Sequence, residues 1–169
     1  SKNDLDELFP KKERSRNNVE GELLFATPDK AFAVMFLGPR PDNSWSMKGK
    51  IQGIYYNVIS NEKKFREQDN GGAVYTLPSE QFECDENQGM RRSEWHTRKN
   101  VKPIEVEYYE SALEAMIDNE VQVYFVDQET FKNITNAEDH GISILQNLRS
   151  ENQRQNRNIK LFRSSSAKV

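Results

Sequence analysis

The chain has 169 residues, of which 35% are hydrophobic and 30% charged, with 24 Lys and Arg against 27 Asp and Glu for a net charge of −3. That length suits one domain burying roughly two-thirds of its unfolded surface, and the composition excludes an intrinsically disordered chain. No run approaches the roughly 18 apolar residues of a membrane helix. The polar opening Ser1-Lys2-Asn3-Asp4 lacks the apolar stretch of a signal peptide, and the single Cys84 has no internal partner for a disulfide, so a cytoplasmic protein is expected.

Residues 1–20 are polar apart from Leu5, Leu8 and Phe9 before Pro10, a lead-in pinned by a few apolar contacts, and Lys11 to Asn18 read as a loop. Leu23-Leu24-Phe25-Ala26 has the composition of a buried strand. Thr27 is the predicted N-cap and Pro28 the first position of a helix running through Ala31 to Leu37, which Gly38-Pro39 stops. Pro39 to Gly53 is rich in turn formers and carries Trp45. A strand follows over Ile54 to Ile59, then a short helix over Asn61 to Gln68, a break at Asn70-Gly71-Gly72, and a strand over Ala73 to Leu77. Ser79 to Phe82 turns away, and the acidic segment Glu83 to Gly89 reads as a surface loop.

Ser93 to Thr97 and Lys102 to Tyr109 read as two extended pieces around Val101, and the alternation Ile104, Val106, Tyr108 predicts one buried face. Ser111 caps a predicted helix through Ile117, Val121 to Val126 is a strand, Asp127 caps a short helix to Ile134, and a last helix spans His140 to Arg149. Mixed element order with both hairpin-length and crossover-length links predicts a single α+β domain over residues 1–148 rather than a doubly wound parallel sheet. The tail over 149–169, judged too polar to pack, is expected to be basic and mobile.

No glycine-rich phosphate loop follows a strand, and two histidines with one cysteine are too few for a metal site, so no metal is predicted. Cys84 stands between Glu83 and Asp85, neighbours that oppose the thiolate a nucleophile needs. More informative is Glu94 to Val106, in which a carboxylate opens a strand and the step Val101-Lys102-Pro103 leads into a second strand.

This segment resembles the part of ADP-ribosyltransferase-like proteins in which a glutamate precedes a strand and a Val/Ile-x-Pro turn. Leu23 to Ala33, an apolar strand ending in a hydroxyl residue before an alanine-bearing helix, is similar to that group's second motif, and Gly72 to Pro78 matches a strand between the two. The resemblance covers about residues 20–110. It implies an ADP-ribosyltransferase-like α+β fold with a central mixed or antiparallel sheet and several short helices, and a ligand that is NAD or ADP-ribose-like. On that reading Glu94 matches the glutamate that stabilises the ribose cation as nicotinamide leaves. Phe25 and Thr27, with Tyr75 on the intervening strand, shape the pocket. The family's first-strand histidine, which holds the ribose, has no counterpart before His96. The ordinary structural role for Glu94 is a strand-end carboxylate paired with Arg91, Arg92 or Arg98.

A second class of function lies in the tail. Six basic residues of 149–169 against Glu151 give it +5 and leave −8 on the rest. Arg149, Arg154, Arg157, Lys160 and Arg163 are therefore the expected contacts of a non-catalytic module with a nucleic acid or protein partner. Exposed Trp45 and Trp95 would mark a protein-binding face; buried, they are core.

Overall fold

The computed structural model describes residues 5–12, 21–39, 45–84, 93–155 and 161–163. In chain order its elements are strands β1 (Lys11–Lys12) and β2 (Glu22–Ala26), helix α1 (Lys30–Val34), strands β3 (Ser46–Ile51) and β4 (Ile54–Ile59), helix α2 (Glu62–Gln68), and strand β5 (Gly72–Thr76). A 3-10 turn over Ser79–Gln81 leads to strands β6 (Glu83–Cys84), β7 (Trp95–Thr97) and β8 (Glu105–Tyr109). Helix α3 (Ala112–Asp118), strand β9 (Gln122–Phe125), helices α4 (Gln128–Asn136) and α5 (Ile142–Gln155), and strand β10 (Leu161–Arg163) complete the chain. The protein is mixed α+β, but its strands are divided among three small sheets instead of one central sheet. Two compact units alternate along the sequence, Ser1–Ala33 with Ala73–Tyr108 and Val34–Gly72 with Tyr109–Val169.

The first unit holds the antiparallel sheet β1-β2-β7-β6 and the ribbon β5-β8. Its lead-in is held by backbone bonds, Leu8 and Val101 exchanging N–H to carbonyl contacts of 2.8 and 3.0 Å, while Leu5 and Phe9 are exposed. Asp29 takes the capping role expected of Thr27, its Oδ1 accepting from the Ala31 N–H at 3.2 Å. Thr27 Oγ1 instead accepts from the Asp29 N–H at 3.1 Å, closing a hydroxyl turn before the helix. Helix α1 ends at Val34, short of the expected Leu37. The alternation in β8 does not mark a buried face, since Ile104 is 70% and Tyr108 42% exposed. A two-stranded ribbon has few neighbours to cover either side.

The second unit contains the sheet β10-β9-β4-β3, in which β4, β9 and β10 run parallel and β3 pairs antiparallel with β4. Tyr55 to Ile59 are all buried, the signature of a strand covered on both faces. On one face Tyr56, Val58, Tyr124 and Val126 pack with Phe131, Ile134, Leu145 and Leu148 of α4 and α5. On the other, Phe65 of α2 meets Phe125 edge-on at 6.1 Å, and the Asn57 amide reaches the Met116 sulfur of α3 at 3.6 Å. The caps Asn61, Ser111 and Asp127 each accept from the backbone N–H three residues on, the latter two as expected from sequence.

Three stretches of this unit differ from the sequence reading. The turn-rich segment before Gly53 contains β3, which forms a hairpin with β4 through Gln52 and Gly53, both in the left-handed region. Helix α5 begins at Ile142, because His140 and Gly141 adopt positive φ, and it runs on to Gln155. Leu161–Arg163 then adds β10 to the sheet, with Phe162 3% exposed and stacked on Tyr124 at 4.8 Å. One aromatic in a polar stretch suffices to dock a strand on an open parallel edge.

Candidate functional site

Of the residues singled out by the resemblance, Phe25 lies in the first unit's four-stranded sheet, and Thr27 and Glu94 directly adjoin two of its strands. Antiparallel pairing sets Phe25 of β2 opposite His96 of β7, and Ala26 opposite Trp95. The pairing ends there, so Thr27 and Glu94 are the residues that leave the two strands at their shared end. Strand alternation returns at Glu94 to the side occupied by His96. Across β7 from Phe25, Glu83 of β6 is also opposite His96. A row of carboxylate, imidazole and phenyl groups therefore crosses three strands, with a second carboxylate, Glu94, two residues before the imidazole.

Phe25 is 38% exposed although it lies in an apolar run, and its ring sits 6.5 Å from the His96 ring at an interplanar angle of 54°. Leu23, two residues earlier, is buried. The expected buried strand is thus buried at one end and open at the end that carries the candidate site. Glu94 is half-buried and makes no hydrogen bond or ion pair among the described residues. It does not pair with Arg98, and Arg91 and Arg92 lie outside the described residues. Thr97, on the opposite side of β7 from His96, is buried and accepts from the Lys99 N–H at 3.2 Å, anchoring the strand from beneath.

Tyr75 stands apart from this row, on β5 in the two-stranded ribbon with β8. An ion pair ties that ribbon to the helix after the candidate site: Lys30 Nζ of α1 reaches both Glu107 carboxylate oxygens of β8, at 2.6 and 2.7 Å. Sequence reasoning named Arg98 as a partner for Glu94, a pair the structure does not form, and it missed that His96 stands between Phe25 and Glu83. The spacing 94, 96 is itself a period-two signal that puts acid and imidazole on one side of an extended segment. The Arg98 guanidinium lies over Gly21, where positive φ and the absence of a side chain make room for it.

Glu83 and Cys84 belong to β6 rather than to the loop expected there, while residues 85–89 of that loop lie outside the described residues. Of the two tryptophans, Trp45 is 4% exposed and packs edge-on against Phe65 at 6.4 Å, so it is core, and Trp95 is half-buried. Among the tail cations Arg149 is half-buried on α5, while Arg157 and Lys160 lie outside the described residues. No helix among the described residues is long and apolar enough to cross a membrane. Comparison with protein-family models, with curated proteins and with solved structures finds no match to this chain.

Proposed function

We propose that this chain binds NAD or an ADP-ribose-like ligand at the shared end of β2 and β7, in the manner of an ADP-ribosyltransferase-like domain. The observation that carries the reading is the register: Phe25 faces His96, and Thr27 and Glu94 flank the strand end beside them. An exposed aromatic ring offers a stacking surface for a planar base or nicotinamide. Glu94, which makes no hydrogen bond or ion pair among the described residues, is an acceptor for ribose hydroxyls and a fixed negative charge beside a ribose carbon that becomes cationic when nicotinamide leaves. Thr27 retains a hydroxyl proton to donate, since its oxygen serves the backbone only as an acceptor. With no first-strand histidine before it, His96 is the imidazole placed to contact the ribose.

Calorimetric titration of the whole chain with NAD and with ADP-ribose tests this. Saturable binding is expected, weakened at least about tenfold by Phe25→Ala through lost stacking. Glu94→Gln keeps the shape while removing the charge; if the chain hydrolyses or transfers from NAD, that variant should slow turnover by about a hundredfold or more. Absence of binding by either ligand, or binding indifferent to both substitutions, would remove the reading.

A further inference from the structure

A cavity of about 40 Å³ lies in the second unit, where the β3–β4 turn, the start of β9 and the middle of α5 meet. Its lining joins the apolar Ile51, Ile54 and Leu145 to the polar Gln122, Tyr124, Gln146 and Arg149, with Gln52 at the turn. Among the described residues no Asp or Glu lines it. Arg149 is half-buried and makes no hydrogen bond or ion pair among the described residues. A guanidinium drawn partly out of water in a cavity that apolar side chains also line is ordinarily matched by a carboxylate, because desolvation of the charge is costly. Here the described residues supply the cation and the donors but no anion.

The neighbouring groups point the same way. The Tyr124 hydroxyl donates to Gln122 Oε1 at 2.7 Å, so the carbonyl end of that amide is occupied and its NH2 end is left to donate. Burial pushes the Tyr124 phenol up to about 12, against the pull of the Arg149 charge, so the phenol is neutral at physiological pH and does not itself neutralise Arg149. Gln146 stands three residues before Arg149 on α5, the spacing that puts two side chains on one helix face. Gln52 holds a left-handed φ of 50°, and turns of this kind favour Asn, Asp or Gly, so its long amide is not explained by the turn itself.

Size sets the class of ligand. A cavity of this volume has room for about three waters, or one compact oxyanion. Pockets for whole nucleotides or drug-sized molecules run to roughly 300–1,000 Å³. A planar fork of guanidinium donors matches two oxygens of a phosphoryl group, and the amides supply donors for the others. We propose that this cavity binds a single tetrahedral oxyanion of the phosphate class, with Arg149 as its charge partner and Gln122 and Gln146 as donors. The site is separate from the one at Glu94 and shares no residue with it.

Two sources of that chemistry are distinguished by titrating the full chain with inorganic phosphate and, separately, with ribose 5-phosphate, at ionic strength held constant with chloride. Saturable one-to-one binding of inorganic phosphate is expected, with NMR shifts at Tyr124 and Arg149. Arg149→Gln should weaken it at least about tenfold, and Arg149→Lys, which keeps the charge and loses the fork, should fall between the two. Equal affinity for the ester identifies a site open to phosphomonoesters, and phosphate binding alone identifies one for the free anion. Lack of saturable binding by both probes, or binding that Arg149→Gln leaves unchanged, overturns the proposal. Tyr124→Phe keeps the core volume and releases the Gln122 carbonyl, so it should weaken phosphate binding without altering the fold.

Discussion

Asp69 accepts four hydrogen bonds: from the N–H groups of Gly71, Ala112 and Leu113 and from the Ser111 hydroxyl, at 3.1, 2.6, 3.1 and 2.8 Å. It closes the turn after α2 and caps α3 from 42 residues away in sequence. Burial pushes its carboxyl up, but the four bonds outweigh burial and hold the group below the ordinary carboxylate value. A carboxyl depressed on folding stabilises the protein above its unfolded pKa, near about 3.9, and that contribution is lost as pH falls through the lower folded value. Urea unfolding between neutral and acid pH should therefore show a falling midpoint below about pH 4, and Asp69→Asn should flatten Asp69's part of that slope. Asp69→Ala should cost about 1–2 kcal/mol at neutral pH, as the loss of a helix cap does. Ile104 gives the opposite expectation: with the side chain 70% exposed, Ile104→Ser should shift stability by no more than about 0.5 kcal/mol. A large loss there would mean that β8 buries the alternating face its sequence suggests.

Elements whose signals are local were legible in the sequence. Caps at Ser111 and Asp127, and strands at Leu23 to Ala26 and Ile54 to Ile59, need only a hydroxyl or carboxylate at the right offset or a dense apolar run. What the sequence hid depends on partners far along the chain. Strand β3, Ser-Met-Lys-Gly-Lys-Ile, has no alternating apolar pattern and is recruited by its hairpin with β4. Gly49 in it leaves room for the Tyr56 ring across the ladder. β10 has the same character, because only Phe162 announces it and the parallel edge of β9 does the rest. Of the candidate site, the Glu94 and Phe25 motifs were readable, but their register against each other was not, since pairing is a property of two segments 70 residues apart. Phe162 supplies the direct test of β10. Phe162→Ala should lower unfolding free energy by about 3–5 kcal/mol, the usual loss for a buried aromatic. A change under about 1 kcal/mol would show that the strand does not dock in solution.

The chain passes between its two units three times, after residues 33, 72 and 108, so neither unit is a contiguous segment. A fragment of residues 109–169 keeps α3, β9, α4, α5 and β10 but lacks β4, the parallel neighbour of β9, and Phe65, which covers Phe125. It should show no cooperative thermal transition by circular dichroism, and a sharp transition would contradict the interleaved division. The first unit carries the residues on which the functional proposal depends. Backbone amide NMR of the full chain during NAD titration tests that proposal most directly. The account predicts saturable shifts concentrated at Phe25, Ala26, Thr27, Glu94 and His96, which in Phe25→Ala need at least about tenfold more NAD to reach half-saturation. Saturable shifts elsewhere with these five amides unmoved, or no shifts at all, would contradict it.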